Sequence, residues 1–290
     1  MRGSAQQYLR RAVSSREEPS IWNEAAQKLR GKKPLMRPRI IPVLLLDSRR
    51  RLVKTRHFGD EVYVGDPFNV IRIFNEKEVD EICVLDINAS IEGRRPDAGF
   101  ISELASECFM PLSYGGGVRS VADATPIFAV GVEKIVLGRA GADAVAVRAL
   151  ADSFGSQAVA VCIDCRRINN DWRVALDRGR AVTDVDPVTR ASAVEQAGAG
   201  EIILQNVDRD GERRGYDAEL ISSVSAAVDV PVVALGGAGE LSHLEDGLRA
   251  GASAVASGSV FVFIGRLRAV LITYPSQPDI VALLEQVGAS

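Results

Sequence analysis

The ten residues EICVLDINAS at 81–90 return 120 positions later as EIILQNVDRD at 201–210. The same offset relates Pro111 to Pro231, and GVEKIVLG at 131–138 to GASAVASG at 251–258. Solenoid repeats have periods of roughly 20 to 50 residues, so a period this long is a half-domain written twice. Short apolar runs alternate with longer amphipathic stretches from residue 39 to about 274, the pattern of repeated βα units. Strands are expected near 39–46, 81–86, 110–114, 134–138, 158–164, 201–206, 231–235 and 253–257. Helices are expected near 66–78, 97–108, 120–130, 141–153, 184–198, 217–228, 242–250, 260–272 and 278–288. Asp66-Pro67 and Asp186-Pro187 read as helix starts, with Asp as cap and Pro in the first turn. Eight such units close into a single α/β fold, a (β/α)8 TIM barrel with an internal half-barrel repeat over 38–290, whose active site lies at the C-terminal strand ends. An open doubly wound sheet competes, but it needs a topological switch point and gives no reason for matching halves.

Composition narrows the function classes. A net charge of -3 gives no general reason to expect nucleic acid, and apolar runs such as Ile40–Leu46 are far too short to span a bilayer. Four cysteines and no recognisable signal peptide point to a reducing cytoplasm. Cys162 and Cys165 have CxxC spacing, but they lie in AVAVCIDC, a buried-strand pattern that sends residues three apart to opposite faces. With only His57 and His243 in the chain, a histidine-rich metal site is not expected, and no metal or cofactor is called for. Residues 1–37 form a basic extension expected to be loosely attached, and Met36 is a plausible start.

Both glycine clusters, Gly115-Gly116-Gly117 and Gly236-Gly237-Ala238-Gly239, follow a strand and precede a helix. They serve either as tight turns or as cradles whose backbone N–H groups meet an anion at a helix N-terminus. Their matched placement, each with a further glycine at a strand end (Gly138, Gly258), suggests a phosphate at each end of one substrate. Ser257-Gly258-Ser259 adds hydroxyls to the second cradle. Gly138-Arg139 stands in the first, where arginine either clamps a phosphate or fills the space. Asp47, Asp86, Asp164, Asp208 and Asp210 close strands, where each either caps the following turn or binds a neighbouring arginine, or supplies the acid–base group that chemistry at a barrel mouth needs. At the opposite ends Arg39, Glu81, Lys134 and Glu201 alternate in sign, a ring whose default reading is stability of the barrel floor.

The strings RPRIIPVLLLD, GDEVYVGDP, EICVLDINAS, YGGGVRS, GAGEIILQNVDRDG and LGGAG together resemble the cyclase subunit of imidazole glycerol phosphate synthase, the HisF family, over nearly all of 38–270. The resemblance implies a barrel that receives ammonia from a glutaminase subunit of HisH type on its bottom face. It also recasts Arg39, Glu81, Lys134 and Glu201 as an ammonia gate. In that family two aspartates act as acid and base on a substrate with two phosphates. Asp164 matches the fifth-strand aspartate. Leu45 stands where the first-strand one belongs, leaving Asp47, two residues on, as the candidate. Lys54, Asp86, Gly116, Gly117, Gln205, Asp210, Gly237, Gly258 and Ser259 fall at substrate-contact positions, and Gly138-Arg139 stands where the family commonly has a phosphate-contacting Asn-Thr pair.

These departures, with strings such as FNEKEVDEI and ELASECFMPLSYGGG, are similar to the cyclase-like paralogue branch of acetamidino-sugar formation in surface polysaccharides. Its partners are a glutaminase and a sugar amidotransferase. The resemblance leaves a working cyclase of histidine biosynthesis, and a non-catalytic ammonia-channel scaffold, as alternatives. A sugar-phosphate isomerase on the same barrel would have no use for the charged ring.

Overall fold

A computed structural model describes residues 37–265 and 269–288. The basic extension expected at 1–37 lies, except for Arg37, outside the described residues, as does Met36. From Pro38 onward the chain is one unit built on eight parallel strands. They are β1 (Arg39–Leu46), β2 (Ile82–Asp86), β3 (Leu112–Gly115), β4 (Lys134–Leu137), β5 (Val159–Ile168), β6 (Glu201–Asn206), β7 (Val232–Leu235) and β8 (Ala254–Ser257). Each pairs with the next, and β8 returns to β1 with Arg39 opposite Ala254, so the sheet closes into the expected barrel.

Helices α1 (Pro67–Glu76), α2 (Ala98–Glu107), α3 (Val121–Ala129), α4 (Ala144–Phe154), α5 (Pro187–Gln196), α6 (Ala218–Ala227) and α7 (Leu241–Arg249) connect the strands. The two Asp-Pro pairs start helices as expected. Asp66 accepts from the Asn69 amide at 3.1 Å and Asp186 from Thr189 at 3.0 Å, satisfying donors that an uncapped helix leaves open. Each helix packs an apolar stripe on the barrel; in α1 it is Val70, Ile71 and Phe74, all at most 4% exposed.

One expected helix does not form. Between Ser259 and Thr273 the described residues contain a short antiparallel pair, Phe263–Ile264 with Ala269–Val270. The run is rich in β-branched and aromatic residues, and Gly265 takes a left-handed φ of 70°, which favours a reversal over a helix. Among the described residues the eighth helix is therefore α8 (Gln277–Gly288).

Two excursions above the barrel went unpredicted. After β1, Leu52–Lys54 folds back on it, with Val53 opposite Leu45, and Val62–Gly65 pairs beyond. Strand β5 runs on to Ile168, reverses at Asn169-Asn170 (φ 49° and 71°) and pairs with Asp171–Leu176. An Asn-Asn pair with both φ positive suits the turn that matches strand twist.

The interior divides by side-chain parity. Ile41, Val43, Cys83, Val136, Ala160 and Ala256 belong to the cluster inside the barrel, while Cys165 sits in the core between sheet and helices. Cys162 packs on the inner cluster, so the two CxxC thiols lie on opposite faces of β5, and both are free. No helix among the described residues is long and apolar enough to cross a membrane.

Candidate functional site

A cavity opens at the C-terminal ends of the strands, and Leu45, Lys54, Asp86, Asp164, Gln205 and Asp210 all line it. Asp164 and Gln205 are opposite one another on β5 and β6. Burial lifts the Asp164 carboxyl to about 7, opposed by a weak bond from the Cys162 thiol (3.5 Å) and reinforced by nearby Asp210. Asp164 can thus hold a proton near neutral pH and release it, which an ordinary surface aspartate cannot.

Asp210 is raised by burial as well, though it accepts from Thr55 Oγ1 (2.9 Å) and from the Phe58 amide (3.3 Å). Gln205 Nε2 reaches Asp210 Oδ1 at 3.5 Å, while Gln205 Oε1 is buried without a partner. Lys54, 5% exposed, donates to the Val43 carbonyl at 2.7 Å. Burial pulls its ammonium down to about 8 even though Asp210 pulls the other way. A side chain at residue 258 would place Cβ 2.4 Å from Lys54 Nζ, so Gly258 makes room for the lysine.

The opposite end carries the charged ring. Lys134 Nζ lies 3.0 Å from Glu201 Oε1 and 3.2 Å from Glu81 Oε1. Arg39 pairs with Glu81 and, at 2.6 Å, with Glu201, while Ser113 Oγ donates to Glu81 at 2.9 Å. The carboxylates are buried and each meets both cations, so the alternating signs expected from the strand starts form one closed network.

Residues 39–267 match the family described as Histidine biosynthesis protein. The chain is 48% identical over 246 residues to "Putative imidazole glycerol phosphate synthase subunit hisF2" of Pseudomonas aeruginosa, covering 83% of this chain and 97% of that protein. It is 44% identical over 253 residues to a protein of Leptospira borgpetersenii named "Putative imidazole glycerol phosphate synthase subunit HisF", covering 86% and 99%. Against "Imidazole glycerol phosphate synthase subunit HisF" of Hyphomonas neptunium identity is 41% over 231 residues, 79% and 91%. The chain belongs to the HisF family.

Within this HisF-family barrel the first strand departs furthest from the sequence expectation. Leu45 lines the cavity, but Asp47 does not join Asp164 there. The Asp47 carboxylate turns into its own loop, accepting from the amides of Arg49 (2.9 Å) and Arg51 (2.8 Å) and from Arg51 Nε (2.8 Å). Burial alone would raise it, but those bonds together hold it below the usual aspartate range, the wrong direction for a proton donor. A strand side chain two residues beyond Leu45 would share its facing, but the strand ends at Leu46, so parity does not govern Asp47. Asp47→Ala is expected to leave ammonia-dependent kcat within about twofold of wild type while lowering stability by about 1–3 kcal/mol, checked by steady-state rates and urea titration.

Other expected contacts divide in the same way. Asp86 lines the cavity, yet Arg94 holds both its oxygens (2.8 and 3.0 Å) and the Asn88 and Ala89 amides add to them, so it also builds the β2 loop. Gly116 (φ 128°) and Gly117 (φ 74°) press that loop, where a Cβ would lie 2.7 Å from Asp86 and 2.5 Å from Arg94. Gly116 reaches the cavity and Gly117 does not. Gly237 (φ 114°) and Ser259 line the cavity, whereas the Ser257 hydroxyl is occupied by the Ser259 and Val260 amides, both at 3.2 Å. Arg139 pairs with Asp177 at the rim, more than half exposed, and so does not fill the cradle.

Arg178 escaped sequence reasoning. It donates to Asn88 Oδ1 (2.6 Å), Glu61 Oε1 (2.9 Å) and the Phe58 carbonyl (3.0 Å), joining three rim segments above the cavity. Its position depends on the hairpin after β5, whose one sequence signal was Asn169-Asn170.

Proposed function

We propose that this HisF-family barrel is the ammonia-accepting subunit of a glutamine-dependent complex in the cytoplasm. A HisH-type glutaminase docks on the bottom face and releases ammonia into the ring of Arg39, Glu81, Lys134 and Glu201. The observation that carries this reading is the placement of that ring and of Asp164 at opposite ends of one barrel interior, with an uncharged cluster that includes Val43, Cys83, Val136, Ala160 and Ala256 between them. At the top, Asp164 moves a proton as ammonia adds to a phosphorylated acceptor. Lys54, Gln205 and Asp210 orient that acceptor, with Asp86, Gly116, Gly237, Gly258 and Ser259 shaping the walls and Gly117 packing the loop behind them.

The acceptor belongs to acetamidino-sugar formation, with a sugar amidotransferase as third partner. Supporting this is the loss of the second carboxylate: Leu45 is apolar and Asp47 is tied into its turn. Relatives named hisF2 and hisF3 fit a paralogue branch. The second reading, a cyclase of histidine biosynthesis, is favoured by the grouping of Asp164 and Lys54, both brought toward neutrality, in one cavity. Purified protein with ammonium salt and the two-phosphate ribulosyl aminoimidazole-carboxamide substrate separates them. No imidazole product is expected; its formation, lost in Asp164→Asn, would establish the cyclase instead.

A further inference from the structure

Strand β6 turns Glu201, Ile203 and Gln205 inward in succession, from the charged ring through the inner cluster to the cavity. Strand β5 does the same with Ala160, Cys162 and Asp164, and the two strands pair so that Gln205 and Asp164 stand level with one another. Gln205 is 3% exposed. Its Nε2 reaches Asp210 Oδ1 at 3.5 Å, while its Oε1 is buried without a donor. Asp164 Oδ1 receives only the Cys162 thiol, at 3.5 Å. A buried carbonyl oxygen with no donor is costly, and a bound molecule that donates hydrogen bonds removes the penalty.

We propose that Gln205 Oε1 and the Asp164 carboxylate form an ammonia-binding site at the upper end of the barrel interior, each accepting one N–H. The proposal rests on the reading of an ammonia-accepting barrel given above. Ammonia is a nucleophile only while its lone pair is free. Two acceptors hold it by its protons and leave the lone pair open toward the cavity, whereas a donor in either place would bind the lone pair itself. Leu45, Leu85 and Leu235 line the same cavity and offer no competing polar group. Lys54 is already the cation beside Asp210, so a neutral ligand suits the site better than a second cation. Gln205 is thus a positioning residue with two tasks: its Nε2 orders Asp210 beside the acceptor, and its Oε1 receives the ammonia.

Titration of the full chain with ammonium chloride, followed by proton–nitrogen NMR of the Gln205 side-chain amide and the Asp164 backbone amide, tests this. Potassium chloride at matched concentration controls for salt and for cation binding. A saturable shift of both resonances is expected with ammonium chloride and none with potassium chloride. The half-saturating total concentration should fall several-fold from pH 8 to pH 9, as the free base grows at the expense of ammonium. Gln205→Leu should weaken the response of the Asp164 amide by at least about tenfold, and Gln205→Glu, which keeps an oxygen at the same reach, should retain it. Thermal melting of each variant shows whether it folds. The proposal is overturned by a wild type without a saturable shift, by an equal response to potassium, by a half-saturation that does not fall with pH, or by unchanged binding in Gln205→Leu. The broader reading fails separately, with this binding intact, if wild type with a glutaminase transfers no glutamine-derived ammonia.

Discussion

Replacing Asp164 with asparagine should abolish ammonia-dependent turnover, by about a thousandfold, and at the same time make the protein more stable in mild alkali. The two effects share one cause. Burial in the cavity raises the carboxyl from 3.8 to about 7, so between those values the folded protein holds a proton that the unfolded chain releases. The stability that this proton contributes is therefore fully present below pH 3.8 and is lost as pH rises through 7. Asparagine removes that decline. At pH 8 the variant should be about 2–4 kcal/mol more stable than wild type, and at pH 4 nearly equal to it. Chemical denaturation at the two pH values checks the sign, and the rate profile should lose its inflection near pH 7. Turnover that survives Asp164→Asn would leave the barrel a conduit and scaffold, with chemistry elsewhere.

Lys134→Ala should cost about 3 kcal/mol of stability, because Glu81 and Glu201 then share Arg39 alone in a buried network. Its functional signature is more telling. Turnover fed by ammonium salt should persist, while turnover fed by glutamine through a glutaminase partner should fall at least tenfold. Measuring both on one preparation separates loss of fold from loss of the gate. Equal loss from both nitrogen sources would return the ring to a purely structural role on the barrel floor.

The strand positions were legible because a barrel strand's alternation and its place in the repeat are local properties. Asp164 and the ring were legible for the same reason, since they stand on strands whose parity fixes where they point. Asp47 was not, because one residue past Leu46 the chain leaves the strand and its carboxylate finds nearer partners in the Arg49 and Arg51 amides. The segment 260–272 misled for a related reason: its apolar residues suit helix or strand equally, and Gly265 together with the cross-strand pairing decided.

The 120-residue repeat, by itself, determined that the chain closes into a symmetric barrel with a floor and a mouth. Tertiary structure decided how far the two halves differ at the mouth. Lys54 enters the cavity because a hairpin folds back over Gly258, Arg178 arrives on an unforeseen reversal, and Arg190 comes from the next unit's helix to face the first half's glycine turn. A repeat specifies backbone geometry through local pattern, but loops of different length bring side chains to the mouth from distant positions, and that convergence exists only once the barrel has closed.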